Sequence, residues 1–249
     1  MRLLLALTLA LSACAPERGE APVTVSAAAS LREVMTELEA EYEAANPGVE
    51  VRTNFGASGA LRQQIEQGAP VDLFVSAAAA PMDALARSGR VDAATRRVLA
   101  GNELVLIVPA RGSPVRDFAD LARAEVRRVA LGAPASVPAG EYAVEALRAA
   151  GVLDAVRAKA VYAQDVRQVL AFVSSGNADA GVVYRTDAAV TKRVRVAAVA
   201  PAGSHRAIVY PAAVVTGGPN TEGARAYLAF LLGPAGRQAL RRRGFRVEG

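Results

Sequence analysis

The chain has 249 residues, 52% of them hydrophobic, which is ample core for one large domain or two smaller ones and excludes a disordered or fibrous chain. Its net charge of +5 is almost all arginine (Lys159 and Lys192 are the only lysines); the arginines are interleaved with acids and no Trp is present, which argues against a nucleic-acid partner. A single cysteine rules out an intrachain disulfide and any multi-cysteine metal centre, and 56 alanines predict a core of small side chains.

Met1-Arg2 opens onto an apolar run from Leu3 to Leu11. Such a run is too short to cross a bilayer, which takes about 20 residues, but it suits a secretory leader. It closes on Leu11-Ser12-Ala13-Cys14, which resembles the bacterial lipobox, and the chain's one cysteine falls at the position acylated there. The expectation is a signal peptide over residues 1–13, a lipidated Cys14 and a flexible tether over 14–22. No later run approaches spanning length, so lipid is the expected sole attachment to a membrane.

Strand and helix patterns then alternate. Val23–Ala27 predicts a strand, and Leu31, Val34, Met35, Leu38 and Tyr42 recur at helical spacing behind a Ser30…Glu33 capping box. Asn46-Pro47-Gly48 stops that helix. Val49–Phe55 and Val71–Val75 predict two more strands, with a helix after Ser58 between them. A helix around Pro81–Arg87 and a third helical stretch lead to an apolar strand, Leu104–Val108. In a second unit Arg128–Leu131 is a strand, Pro138–Ala149 a helix, Asp165 the cap of a helix through Phe172, and Ala180–Tyr184 and Val194–Val199 are strands. Ile208–Thr216 leads back to the first unit, and Thr221–Gly244 is helical with a break near Gly233-Pro234. The order β-α-β-α-β implies an α/β fold with parallel sheets and ligand crevices beyond the carboxyl ends of the strands.

Chemistry concentrates where strands end and helices begin. Ala29-Ser30, Ala57-Ser58, Val137-Pro138-Ala139-Gly140 and Asp165-Val166 each offer unpaired N–H groups at the positive end of a helix dipole, which bind anions without a formal charge. Each also has an ordinary structural reading. Ser30, Ser58 and Asp165 are N-caps by default, Pro138 is a good first-turn residue, Tyr184 is a core aromatic with a wet hydroxyl, and His205 lies in a polar loop. The Arg237–Arg246 cluster reads as a solvated helix face.

Val25-Ser-Ala-Ala-Ala-Ser30-Leu31, Phe55-Gly-Ala-Ser58-Gly-Ala-Leu61, Gly68-Ala-Pro-Val-Asp72-Leu-Phe74, Val137-Pro-Ala-Gly140, Asp165-Val166-Arg167 and Gly181-Val-Val-Tyr184 stand in the order seen in the molybdate-binding proteins of bacterial ABC importers. The chain resembles that family over almost its whole length past the leader. The resemblance implies a two-domain periplasmic-binding-protein-like fold of type II with the ligand in the interdomain cleft, divided here as residues 23–104 plus 212–249 and residues 105–211. It implies an oxyanion, molybdate or tungstate, held by the hydroxyls and amides of Ser30 and Ser58, the backbone N–H groups of Ala139 and Val166, and the Tyr184 hydroxyl. It further implies no cofactor, no direct metal ligands, no catalysis, a monomer, and delivery to ABC permease subunits from the periplasm or the outer face of the cytoplasmic membrane. Ala78 and Gln164 depart from the family pattern at positions that often carry an acid, which bears on the rim of the pocket.

All five positions supply donors and none needs to supply a charged acceptor. A fully deprotonated dianion is satisfied there, whereas a protonated one strands a donor at about 1–3 kcal/mol, so the site favours molybdate, tungstate or sulfate over phosphate. Other expectations compete. Another oxyanion such as sulfate would use the same donors. A secreted serine hydrolase would use Ser58 in Gly56-Ala-Ser58-Gly59-Ala60 with His205, although Ala60 replaces the second glycine of the elbow. A ferric complex would need Tyr, His or carboxylate ligands gathered together, for which Tyr184 alone is a poor start.

Overall fold

The computed structural model describes residues 21–248. The leader over 1–13, Cys14 and all of the tether but Ala21 and Pro22 lie outside the described residues. Two lobes follow, each a five-stranded sheet flanked by helices. The first contains β1 (Val23–Ala28), α1 (Arg32–Ala45), β2 (Val51–Gly56), α2 (Ser58–Glu66), β3 (Leu73–Val75), α3 (Ala79–Arg87) and β4 (Arg97–Gly101). The second contains β5 (Leu104–Pro109), β6 (Val129–Gly132), α4 (Pro138–Ala149), α5 (Leu153–Arg157), β7 (Ala160–Ala163), α6 (Val166–Ser174), β8 (Ala180–Tyr184), α7 (Arg185–Ala188) and β9 (Val194–Val199). The chain returns to the first lobe through β10 (Val209–Val214), α8 (Thr221–Leu232) and α9 (Pro234–Arg242).

The sheets run β2-β1-β3-β10-β4 and β7-β6-β8-β5-β9. The first three strands of each are mutually parallel. The remaining pairings are antiparallel, so the all-parallel sheets read from the alternation are corrected to mixed ones. The cause is the crossing of the chain between lobes. β5 and β10 each enter from the neighbouring lobe and run against the strands they join. The sheets part between Gly101 and Leu104 and again between Val199 and Val209, a few residues ahead of the 104/105 and 211/212 divisions. The helical stretch expected before Leu104 is also corrected: Ala93–Thr95 makes one 3-10 turn and Arg97–Gly101 is a strand paired with β10.

The apolar runs of β5 and β8 are buried almost throughout, as befits central strands covered on both faces. Small side chains dominate the core, yet Tyr184, Tyr210 and Tyr227 are among its largest fully buried members. One close approach positions the site. A Cβ on Gly140, in the first turn of α4, would lie 2.1 Å from the carbonyl oxygen of Gly132 at the end of β6. The missing side chain lets the helix N-terminus sit directly on the strand end.

Candidate functional site

Three helix starts meet where the lobes face each other. α2 of the first lobe opens at Ser58, and α4 and α6 of the second open at Pro138 and Val166. The N–H groups of a first turn have no intrahelical acceptor and carry the positive end of the helix dipole. Twelve residues line the small cavity between these starts, Ser30, Ser58, Ala139, Val166 and Tyr184 among them, and none of the twelve is charged. The structure therefore brings together all five positions singled out in the sequence, from both lobes.

The serines are not the caps their positions suggest. Ser30 sits in a single 3-10 turn between β1 and α1, and the cap of α1 is Leu31, with no side-chain bond. The Ser30…Glu33 capping box is absent because both side chains have partners elsewhere. The Ser30 hydroxyl lies 3.0 Å from the Tyr210 hydroxyl, and Glu33 turns across the cleft to Arg167. Ser58 is the first helical residue of α2 rather than its cap, and its Oγ accepts the Ala77 N–H at 2.9 Å. A hydroxyl that accepts from the protein keeps its own hydrogen for the cavity. Asp165 does cap α6, accepting the Gln168 N–H at 2.9 Å, and Pro138 stands in the first turn of α4 as expected.

Tyr184 ends β8, and its hydroxyl is buried rather than wet. It donates across the lobes to the Ala77 carbonyl over a long 3.4 Å. Burial pushes the phenol well above its ordinary value of 10, so it stays a protonated donor. Gly59 makes a second bridge, its N–H donating to the Ser136 carbonyl at 2.9 Å.

A charged bridge stands behind the cavity. Arg167 Nη1 donates to Glu33 Oε1 at 2.7 Å, its Nε lies 2.8 Å from Asp187 Oδ1, and its Nη2 is 3.5 Å from the Ser30 carbonyl oxygen. Burial pushes the Asp187 carboxyl up to about 7, against the opposing pull of Arg167. Burial is the largest single influence on Glu33 and disfavours its ionisation, but the hydrogen bond and the charge of Arg167, with smaller help from a backbone N–H and Arg243, together outweigh it and hold that carboxyl below its usual 4.5. One guanidinium thus meets two carboxyl groups behind the cavity. Arg167 was legible only as a neighbour of Val166, because its partner Glu33 lies 134 positions away.

The model for bacterial extracellular solute-binding proteins matches residues 23–246. The chain belongs to that family. It is 42% identical over 227 residues to a Bacillus subtilis chain provisionally named as the ABC transporter substrate-binding lipoprotein YvgL, covering 91% of this chain and 86% of that one. It is 39% identical over 234 residues to the molybdate-binding protein ModA of Haemophilus influenzae, covering 92% and 91%. The solved Azotobacter vinelandii periplasmic molybdate-binding protein superposes with a TM-score of 0.81 at 24% identity, over 91% of this chain and all of that one, which shows the shared two-lobed α/β fold.

The competing site expectations do not assemble in this solute-binding protein. His205 packs its ring 5.7 Å from that of Tyr142, places Nδ1 2.7 Å from the Arg206 carbonyl, and does not line the cavity that holds Ser58. The hydrolase pairing is therefore not formed. Tyr184 is the only Tyr, His or acid in the lining, and among the described residues no group of three His, Cys, Asp or Glu could hold a metal ion. No helix among them is long and apolar enough to cross a membrane.

Proposed function

We propose that this protein is an extracytoplasmic binding lipoprotein that captures molybdate or tungstate between its lobes and delivers it to the membrane permease of an ABC importer. The observation that carries this reading is the cavity itself: hydroxyl and N–H donors from both lobes, and no charged side chain in the lining. Relatives named for molybdate at 39% identity select the ion, and the lipoprotein name of the Bacillus relative supports acylation at Cys14. The five named positions wrap the oxyanion, which acts as cargo, with the single Tyr184 hydrogen turning from its long bond to the Ala77 carbonyl to the ion, and no step of catalysis is required. Because Ser30, Ser58, Ala139, Val166 and Tyr184 are all buried, an ion enters only when the lobes part. It then favours the closed form by adding second-lobe contacts to first-lobe ones. The monomer closes on its cargo, and the closed form docks on the permease.

Isothermal titration calorimetry of the soluble chain at neutral pH tests this. Molybdate and tungstate bind, and hydrogen phosphate, whose proton finds no acceptor, is rejected by roughly 10–100-fold relative to them. Preference for phosphate, or binding of none of these ions, contradicts the reading.

A further inference from the structure

A hydrogen-bond chain runs from the crossing between the lobes to Ser30. Asn102 lies between β4 and β5, and its Oδ1 accepts the Glu103 N–H at 2.9 Å. A backbone N–H can only donate, so the amide orientation is set and Nδ2 faces the other way. Nδ2 donates to Thr186 Oγ1 at 2.9 Å and to the Tyr210 hydroxyl at 3.1 Å. An amide nitrogen has no acceptor capacity. The Tyr210 oxygen therefore accepts from Asn102, and Ser30 Oγ, 3.0 Å away, is the acceptor within reach of its own hydrogen. With Ser30 Oγ as the acceptor of that bond, the serine hydrogen is left for the cavity that Ser30 lines. Tyr210 is fully buried, and burial raises its phenol far above the ordinary range, so the chain does not lose its proton at any physiological pH.

We propose that Asn102 and Tyr210 are positioning residues that hold the Ser30 hydroxyl as an obligatory donor, and so help the site refuse a protonated oxyanion. The proposal rests on the oxyanion-binding reading given above. It follows from direction as much as from contact. A serine released from Tyr210 can rotate and accept a hydrogen bond, which is what hydrogen phosphate needs and molybdate does not. Tyr210→Phe is a clean probe because the ring is kept. That ring packs edge-on to Tyr184 at 5.9 Å and to Phe245 at 5.4 Å, so the aromatic support of Tyr184 survives loss of the hydroxyl.

The test is a double-mutant cycle in the soluble chain with Tyr210→Phe, Ser30→Ala and the pair, titrated with molybdate and with inorganic phosphate. Tyr210→Phe is expected to weaken molybdate about tenfold, to weaken phosphate less or not at all, and to change nothing further once Ser30 is alanine. A purely structural role would lower both ions alike and persist in the Ser30→Ala background; that result, or unchanged molybdate binding by Tyr210→Phe, overturns the proposal. Should Tyr210→Phe lose its cooperative unfolding transition, Asn102→Ala enters the same cycle with the same expectations. Failure of the parent chain to bind molybdate overturns the functional reading together with this one, whereas binding by the parent with no coupling between the two sites overturns this one alone.

Discussion

Gly59→Ala is expected to fold as well as the parent chain and to bind molybdate about 100-fold more weakly. A Cβ at this position would lie 2.5 Å from the Ser136 carbonyl oxygen and 2.8 Å from its Cα. Those atoms are backbone of the opposite lobe, so no side-chain rotation relieves the clash. Gly59 itself lies inside α2, where alanine is a better helix former by about 1 kcal/mol. With the lobes apart these contacts vanish, and the penalty falls on closure. Overpacking costs roughly 1–3 kcal/mol, and an immovable obstacle puts the loss at the upper end of that range. Thermal unfolding without ligand reports the intact fold, and calorimetry together with the loss of ligand-induced thermal stabilisation reports the blocked closure. Parent-like affinity would mean that the lobes need not meet here for the ion to be held.

Ser58→Ala is expected to cost both binding and stability. Its hydroxyl accepts the buried Ala77 N–H and keeps its hydrogen for the ion, so one substitution removes a donor from the cage and orphans an amide. A hydrogen bond to a charged group is worth about 1.5–3 kcal/mol, which converts to roughly 10–100-fold in affinity, and an unsatisfied buried N–H destabilises the unliganded protein by about 1–3 kcal/mol. Ser26 provides the control. It is equally buried in β1, but its hydroxyl has no hydrogen-bond partner, so Ser26→Ala leaves affinity and unfolding close to those of the parent. Calorimetry and denaturant unfolding of the two variants side by side separate the cases. Equal behaviour of the two would deny Ser58 its place among the donors.

Where local pattern decides the structure, it was readable. α4 begins at Pro138 and ends at Ala149 as expected, and β8 and β9 match the expected strands residue for residue. The helical tail breaks at Gly233 with Pro234 opening the next helix. Where distant partners decide, it was not. Arg97–Gly101 follows an alanine-rich stretch that reads as helix, and becomes a strand only because β10 returns from the other lobe to pair with it. Ser30 and Ser58 have the surroundings of caps, and local spacing cannot show that Tyr210 and Ala77 claim their hydroxyls instead. The five cavity positions were found through resemblance and the common logic of helix starts. Asn102, Tyr210, Asp187 and Gly59 stayed hidden because each acts through a partner distant in the chain that only the tertiary fold brings near. Nothing in an apolar run such as Ile208–Thr216 marks one tyrosine as the neighbour of a serine 180 positions earlier.

Anomalous diffraction at the molybdenum edge from crystals grown with molybdate tests most directly whether an uncharged cage closes around a dianion. The expected map has one strong peak between the lobes, with its oxygens in hydrogen-bond reach of the Ser30, Ser58 and Tyr184 hydroxyls and the Ala139 and Val166 N–H groups. A peak seated instead against the arginines of α9, or one with a lysine or a carboxylate in direct contact, would contradict it.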